Sequence, residues 1–248
     1  MKKRRVLSVV LAASMFAMLL AGCGGGNQGA AEGSQAAAIG QGAAEAESCI
    51  KIGVSGTPDL DPAIVNTGSS LIAAINIYDT LIFPSDEANE GVVPRVAEDW
   101  TISEDGLTYT FNLKKGIKFH NGDELTASDV VYSMDRLLTI GEGYAYIFTN
   151  YVEPGTTVAV DDYTVEFHLK QAYGPFINAL VRLFILNEDE VKANTQSAGN
   201  YGENGDYGRT YLLTHDAGSG AYKAVELVQQ DYFYAEQNPD WFMGWENE

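Results

Sequence analysis

The sequence is short of cations, cysteines and histidines, and each shortage excludes a class of protein. It has 15 Lys and Arg against 34 Asp and Glu, a formal net charge of −19 over 248 residues. Binding to nucleic acid or to anionic lipid through charge needs clustered cations, so neither partner is expected. The 2 cysteines are too few for a disulfide scaffold, and the 3 histidines show no metal-ligand spacing. We therefore expect no metal site and no cofactor, and a hydrophobic core that holds the fold together.

Catalytic motifs are missing as well. Gly218-Ser219-Gly220 lacks the GxSxG spacing of a nucleophile elbow, and Gly141-Glu142-Gly143 lacks the third glycine of a dinucleotide loop. His120 adjoins an Asn-Gly turn, and His168 lies on the polar side of a predicted strand, so both have structural explanations. Two carboxylates could still converge as a glycosidase pair, which a sequence does not reveal. The sequence predicts no catalytic residue and no enzyme.

The first 22 residues predict a secretory leader. Four cations at positions 2–5 precede the uncharged run 6–20, which is shorter than the roughly 20 residues of a membrane-spanning helix. The segment ends Leu20-Ala21-Gly22-Cys23, which resembles the lipobox of bacterial lipoproteins. This resemblance implies that Cys23 carries a lipid after cleavage of residues 1–22. The alternative is an ordinary signal peptide followed by a chance cysteine.

Residues 23–49 are expected to form a flexible tether. Gly, Ala, Gln, Glu, Ser and Asn make up nearly all of the segment, and Ile39 is the one aliphatic residue larger than alanine between the two cysteines. Acyl chains on Cys23 would hold the protein at the cell membrane, because each buried CH₂ contributes about 0.8 kcal/mol. Cys49 is interpreted as an inert small apolar residue. The predicted location is therefore lipid-anchored, on the extracellular or periplasmic face, with the lipid as the only membrane contact.

From Ile50 onward the sequence predicts alternating strands and helices, and hence a mixed α/β fold. Apolar residues at period two indicate strands, and apolar stripes at period 3.6 behind capping residues indicate helices. Residues 195–208, rich in Gly, Asn and Asp, are predicted to form an exposed loop. The predicted strands are 50–54, 107–113, 163–169, 222–228 and 232–236, with a short one through Ile117 and Phe119. The predicted helices begin after a Ser69 or Ser70 cap (apolar stripe to Ile82), at the Thr126–Asp129 capping box, and at Pro175 (stripe to Phe184).

Several short runs of residues, taken together with their order along the chain, resemble a known family. They are Asp59-Leu60-Asp61-Pro62, Pro94 to Trp100, Glu104 to Leu113, Gly116 to Asp123, Leu125 to Ser133, Asp161 to Val165, Gly218 to Lys223, and Asn238 to Trp241. Together they resemble the family 5 extracellular solute-binding proteins, which are the peptide, dipeptide and nickel receptors of ABC importers. Ala221 departs from the pattern, because the family usually has proline there.

The resemblance implies a periplasmic-binding-protein-like type II receptor of two lobes, incomplete at the C-terminus. Residues 50–82 would form the first part of lobe I, 83–200 an inserted small domain, and 201–248 a truncated return to lobe I. The family continues well beyond the position of Trp241, whereas this sequence ends seven residues later. The expectation is that these 248 residues bind peptide weakly or not at all, because the opposing lobe and its charged groups are missing.

The resemblance also implies a site and partners. Ser55, Gly56 and Thr57 match the family's cleft-lining loop, and Tyr144 matches a cleft aromatic; the alternative for each is a turn or packing residue. The implied function is capture of oligopeptides or dipeptides by a monomer and their delivery to an ABC permease. The alternatives are a sensory or adhesive lipoprotein of the same fold, a nickel-binding or haem-binding member of the family, and, least favoured, a secreted hydrolase.

Overall fold

The computed structural model describes residues 52–85 and 91–245. The predicted leader, Cys23, the tether, Cys49 and Ile50 lie outside these residues. Among the helices of the described ranges, none combines the length and the apolar character that a membrane crossing requires.

Short helices and antiparallel strands alternate along the chain, as the sequence predicts. The helices are α1 (Gly68–Ile77), α2 (Ala127–Ile140), α3 (Ala145–Phe148), α4 (Phe176–Ala179) and α5 (Glu188–Ala193), with 3₁₀ turns at Pro62–Ile64, Leu180–Arg182, Gly202–Asn204 and Tyr211–Leu213. The strands are β1 (Ile82–Pro84), β2 (Val92–Pro94), β3 (Ala97–Ile102), β4 (Thr108–Leu113), β5 (Thr157–Asp161), β6 (Thr164–His168), β7 (Tyr222–Val228) and β8 (Tyr232–Gln237).

The largest sheet among the described residues is antiparallel and has four strands in the order β3-β4-β6-β5. Tyr109 and Phe111 of β4 point to the same side as Val165 and Phe167 of β6, and all four are buried. The period-two pattern predicted this arrangement, because alternate residues of a strand share a face. Helix α2 packs on β5 and β6. The rings of Phe111 and Phe167 meet edge to face at 5.7 Å, so aromatic packing reinforces the apolar burial.

Helix α2 begins where its sequence predicts. Thr126 and Asp129 form the capping box: the Thr126 backbone N–H donates to Asp129 Oδ2 at 2.8 Å. Gly141 ends the helix in the left-handed conformation, with φ of 71°. This helix is therefore specified locally at both ends.

Two smaller antiparallel pairs complete the strands. β1 pairs with β2 in register Phe83 to Val93, and β7 pairs with β8 in a hairpin with Leu227 opposite Phe233. The hairpin confirms the two strands predicted near the end of the chain. Its bounds differ from the prediction by one residue.

The predicted strand over residues 50–54 is wrong in its described part. Residues 52–54 have no strand partner among the described residues, and Ile52 and Val54 are 65% and 45% exposed. A strand needs a neighbouring edge for its backbone hydrogen bonds. The alternating sequence pattern predicts which side chains would share a face. It does not show whether a neighbouring strand is present to accept the backbone hydrogen bonds.

Two helix predictions need correction. Helix α1 is capped by Thr67, whose Oγ1 accepts the N–H of Ser70 at 3.1 Å, so the capping residue is neither Ser69 nor Ser70. The helix ends at Ile77, because the chain becomes extended at Tyr78. The segment after Pro175 is the short helix α4 followed by a 3₁₀ turn, and it becomes extended at Leu183 instead of continuing to Phe184.

The loop predicted to be exposed over residues 195–208 is buried at its end, over 205–208. The Asp206 carboxylate accepts the backbone N–H groups of Gln196, Gly208 and Thr210 at 2.8 to 3.0 Å. These bonds satisfy polar backbone groups that would otherwise require water. The composition of the loop is typical of exposed segments, but the carboxylate allows its end to be buried.

Candidate ligand-binding site

The predicted cleft loop lies against the turn of the β7–β8 hairpin. Thr57 Oγ1 donates to Gln229 Oε1 at 3.1 Å and accepts the Gln230 N–H at 3.3 Å. Ser55 and Gly56 are exposed, and Gly56 has φ of 97°, which favours glycine. The loop is therefore anchored at Thr57 and leaves the backbone of the two preceding residues accessible.

Tyr144 lies directly before α3, where the chain passes close to the 3₁₀ turn Pro62–Ile64. Gly143 makes this approach possible: a Cβ at this position would lie 2.7 Å from the Ala63 carbonyl oxygen. The Tyr144 ring is half-buried, and the Arg182 Cζ lies 5.2 Å from its centroid. This distance is within the range of a cation–π contact.

A fully buried ion pair fixes the 3₁₀ turn next to Tyr144. Arg136 Nη1 and Nη2 donate to the two carboxylate oxygens of Asp61 at 2.7 and 2.8 Å, and its Nε donates to the Tyr207 carbonyl at 2.8 Å. Asp61 also accepts the Ala63 N–H at 3.0 Å. Burial lowers the pKa of Arg136, but the attraction and hydrogen bonds of Asp61 outweigh burial and raise it overall. Arg136 therefore stays charged and holds α2 against the turn.

Arg182 also borders a cleft of about 230 Å³, which we call the arginine cleft. Its wall is mainly apolar, and two guanidinium groups interrupt it. The residues that line it are Leu71, Ile75, Tyr78, Thr80, Phe83, Pro84, Arg95, Val181, Arg182 and Phe184.

Arg95 is held in this cleft by a buried acid. Its Nε donates to Asp79 Oδ1 at 2.6 Å, and Asp79 Oδ2 accepts the Ser219 hydroxyl at 2.9 Å. The Arg95 Cζ lies 4.5 Å from the Phe83 ring centroid and 5.4 Å from that of Trp241. These contacts fix the plane of the guanidinium.

Tyr78, at the base of the arginine cleft, remains a neutral hydrogen-bond donor. Burial, together with the negative charges of Asp216 and Asp61, raises its pKa well above the ordinary value. Its hydroxyl donates to the Leu60 carbonyl at 2.9 Å. The side chain therefore joins α1 to the segment that leads into the 3₁₀ turn.

His120 makes the contacts of a structural residue, as the sequence predicted. Its Nδ1 lies 2.6 Å from Asp216 Oδ1, and its Nε2 lies 3.0 Å from the Gly220 carbonyl oxygen. Asp216 also accepts the N–H groups of Gly218 and Ala224. The histidine thus braces the Asn-Gly turn against the start of β7. No group of three or more metal-ligating side chains occurs in the described ranges.

The structure connects Tyr144 to the arginine cleft through Arg182, and it places the 55–57 loop at the hairpin turn. Within residues 52–85 and 91–245, no hydrogen bond or ring contact joins that loop to Tyr144. The ligand-binding roles of Ser55, Gly56, Thr57 and Tyr144 stay predictions.

Sequence reasoning missed Arg95, Arg136 and Arg182. Arg182 carries a signal that could have been noticed: it lies within an apolar run that contains no acidic residue within five positions on either side. In a chain so rich in acids, an arginine without a nearby acid is unusual. Arg136 carries no such signal, because its partner Asp61 is distant in sequence.

The fold places the molecule in the class of two-lobed, type II solute-binding proteins, because the solved structures that it resembles belong to that class. The periplasmic binding protein DppA of Helicobacter pylori, solved in complex with the peptide STSA, matches with a TM-score of 0.63 and 29% identity, over 76% of this chain and 38% of that chain. An oligopeptide ABC transporter substrate-binding domain from Bacillus anthracis strain Ames matches with a TM-score of 0.60 and 26% identity, over 74% and 36% of the two chains.

Residues 91–247 match the model of the bacterial extracellular solute-binding proteins, family 5 Middle, and the chain belongs to this family. The resemblance predicted from the sequence is confirmed. Membership also makes the chain a binding protein and not an enzyme, as predicted.

The most similar relatives include peptide-binding proteins. The di/tripeptide-binding protein 1 of Pseudomonas aeruginosa strain UCBPP-PA14 is 32% identical over 140 residues, 50% of this chain and 26% of that protein. The dipeptide-binding protein of Escherichia coli strain K12 is 34% identical over 159 residues, 56% of this chain and 29% of that protein. The chain therefore spans about a third or less of the length of these two relatives.

Proposed function

We propose that this chain is the substrate-binding component of an ABC importer and that it captures peptides. Its family membership carries the proposal, because relatives from several bacteria are named for the di-, tri- or oligopeptides they bind. Delivery to a membrane permease belongs to the same proposal. So do the lipid anchor on Cys23, a location at the cell membrane, a monomeric state and the domain boundaries at residues 82/83 and 200/201.

The geometry of the site supports this function. The exposed backbone at Ser55 and Gly56 offers hydrogen-bond groups to the main chain of an extended peptide. The half-buried ring of Tyr144, held beside Arg182, offers an apolar face with a polar tip. The peptide main chain would then contact the 55–57 loop, and a peptide side chain would contact Tyr144.

Binding of a di- to pentapeptide pool, followed by saturation-transfer difference NMR, tests the proposal, because this method detects weak as well as tight binding. Tyr144→Ala should weaken the binding about tenfold, equivalent to about 1.4 kcal/mol. Tyr146→Ala is the matched control, because Tyr146 is two residues away and 70% exposed. Absence of peptide binding to the parent chain would refute peptide capture by these 248 residues, and equal effects of the two variants would refute the role of Tyr144.

A further inference from the structure

A buried contact joins the Asn-Gly turn after His120 to the segment that leads into β7. The side chains of His120 and Asp216 meet there, 96 positions apart in sequence, and are 9% and 6% exposed. The His120 N–H donates to the Gly218 carbonyl at 2.8 Å, and Lys223 Nζ donates to the His120 carbonyl at 3.5 Å. We call the contacts of His120 with Asp216, Gly218, Gly220 and Lys223 the histidine clasp.

Both ring nitrogens of His120 face oxygen atoms of hydrogen-bond acceptors. Nδ1 lies 2.6 Å from Asp216 Oδ1, and Nε2 lies 3.0 Å from the Gly220 carbonyl oxygen. A neutral imidazole has one N–H, so its other nitrogen would direct a lone pair at an oxygen lone pair. An imidazolium has two N–H groups and satisfies both acceptors. The buried clasp therefore needs one proton more than a neutral ring and a carboxylate supply.

The hydrogen bonds of Asp216 place this additional proton on the ring. Asp216 Oδ1 also accepts the Gly218 N–H at 3.0 Å, and Oδ2 accepts the Ala224 N–H at 2.7 Å. Backbone donors to both oxygens favour the ionised form of a carboxyl group. The contact is therefore an imidazolium paired with a carboxylate.

The charges around the ring are mainly negative. Asp216 touches the ring, Asp123 belongs to the same turn as His120, and Glu190 of α5 lies within electrostatic reach. Burial, Asp216 and Asp123 raise the pKa of Glu190, and the positive charge of His120 lowers it. Lys223 is the cation that the described residues place beside His120, and its Nζ is directed to the backbone carbonyl. Three carboxylates against one ammonium favour a positive ring.

Two tyrosines complete the surroundings of the histidine clasp. Tyr78 of α1 lies within reach of the charge of Asp216, and the Tyr211 hydroxyl donates to Glu190 Oε1 at 2.7 Å. Burial raises the pKa of both phenols, so both are neutral at neutral pH. They therefore leave the balance of charge around the ring unchanged.

We propose that His120 carries a proton on both ring nitrogens in the folded protein, and that the histidine clasp loosens when this proton is lost at higher pH. A ring with one N–H leaves a lone pair against an oxygen, which favours separation of the turn from the segment before β7. Helix α5 is tied to both segments: Asn187 Nδ2 donates to Asp123 Oδ2 at 2.9 Å, and the Asn187 N–H donates to the Ala217 carbonyl at 2.9 Å. The clasp is thus a pH-sensitive attachment within the fold, and it does not depend on the ligand.

The direction of the pH effect follows from proton binding. An unfolded histidine loses its proton near about pH 6.5, and above this pH the folded state binds one more proton than the unfolded state. Stability therefore falls as the pH rises, until the folded ring also releases its proton. Below the unfolded value both states carry the proton, and the contribution of the clasp is fully present. Over the upper range this proton should raise the unfolding equilibrium constant by up to about tenfold per pH unit.

Long-range proton–nitrogen NMR spectra of the labelled parent chain test the protonation, because the nitrogen shifts distinguish a ring with one N–H from a ring with two. At about pH 7.5, above the ordinary histidine value, His120 should show two protonated nitrogens and the exposed His215 should show a neutral ring. The variants His168→Gln and His215→Gln assign the signals of the other two histidines. A single N–H on His120 at this pH would overturn the proposal.

His120→Gln removes the charge of the ring and keeps a polar side chain. The stability advantage of the parent over this variant should shrink as the pH rises from about 6 to about 9. His168→Gln is the matched control, because His168 lies 3.3 Å from the Glu166 carboxylate but is 44% exposed. Its unfolding constant relative to the parent should change by less than about twofold over this range.

Urea unfolding of the three proteins at several pH values measures these differences. An advantage over His120→Gln that stays constant with pH would overturn the pH dependence. If His120→Gln does not fold, the spectra of the parent chain still decide the protonation, because they need no substitution at His120.

Discussion

At the scale of single residues, the pair of Arg136 and Asp61 shows how burial changes the contribution of an ion pair to stability. The side chains are 0% and 1% exposed, and two parallel hydrogen bonds join them. Removing one partner from such a pair leaves an unpaired charge in a medium of low polarity. The same change at the surface leaves a charge that water solvates.

Arg136→Met should therefore lower the free energy of unfolding by about 3 to 5 kcal/mol. Arg209→Gln is the matched control, because Arg209 pairs with Glu142 at 2.8 Å in a partly exposed position, and its loss should be below about 1 kcal/mol. Urea unfolding of the three proteins measures the difference. Similar losses in the two variants would contradict the stabilising role of the buried pair.

The raised pKa of Glu190 predicts that the stability of the fold depends on pH. Burial raises its pKa, and the nearby charges of Asp216 and Asp123 raise it further, although the Tyr211 hydroxyl donates to Glu190 and lowers it. The folded pKa exceeds the unfolded value of about 4.3, so ionised Glu190 opposes folding at higher pH. Below the unfolded pKa the carboxyl is protonated in both states and this penalty disappears.

Glu190→Gln keeps an oxygen that accepts the Tyr211 hydroxyl and removes the charge. The variant should gain stability relative to the parent as the pH rises from 4 to 8, and the gain should be smallest at the acid end. Unfolding curves at several pH values measure this. A stability difference that stays constant with pH would contradict the prediction.

At the scale of elements, the junction between α2 and α3 depends on two glycines with different constraints. Gly141 and Gly143 both have positive φ, 71° and 51°. A Cβ at Gly141 would meet nothing closer than 3.9 Å, whereas one at Gly143 would lie 2.7 Å from the Ala63 carbonyl oxygen. Gly141 is therefore required only for the left-handed backbone conformation. Gly143 is required for that conformation and also for the close approach of its backbone to Ala63.

Gly141→Ala should cost about 1 to 2 kcal/mol for the left-handed conformation. Gly143→Ala should cost more, because the backbone must also move away from Ala63, and it should shift the environment of Tyr144. Thermal unfolding with NMR chemical shifts of the tyrosine ring measures both effects. Equal losses without a shift at Tyr144 would show that the junction has room for a methyl group.

The helices and strands also show how much of the fold can be predicted from neighbouring residues alone. The capping box at Thr126 and Asp129 and the two strands β7 and β8 follow from neighbouring residues, and all were predicted. The strand over 50–54 was predicted from the same kind of pattern and is absent over 52–54. A cap is completed within one turn of helix, whereas a strand depends on a distant segment.

At the scale of the whole molecule, the proposed lipid on Cys23 would determine where the protein resides. Cys23→Ala removes the thiol that the lipid would need, so expression in a bacterium should leave the protein without an acyl chain. In a Triton X-114 extraction the parent should enter the detergent phase and the variant should remain in the aqueous phase. Equal partitioning of the two would refute the anchor.

The sequence by itself determined the family, the mixed α/β class and the periodicity of the strands, because these depend on local patterns and on the order of short motifs. It placed Tyr144 and the 55–57 loop as site candidates through resemblance alone. The tertiary structure decided the remainder: the pairing of Arg136 with Asp61, the brace of His120 on Asp216, and the contact of Arg182 with Tyr144. Each joins residues that are far apart in sequence, and their proximity arises only when the chain closes its long loops around a common core.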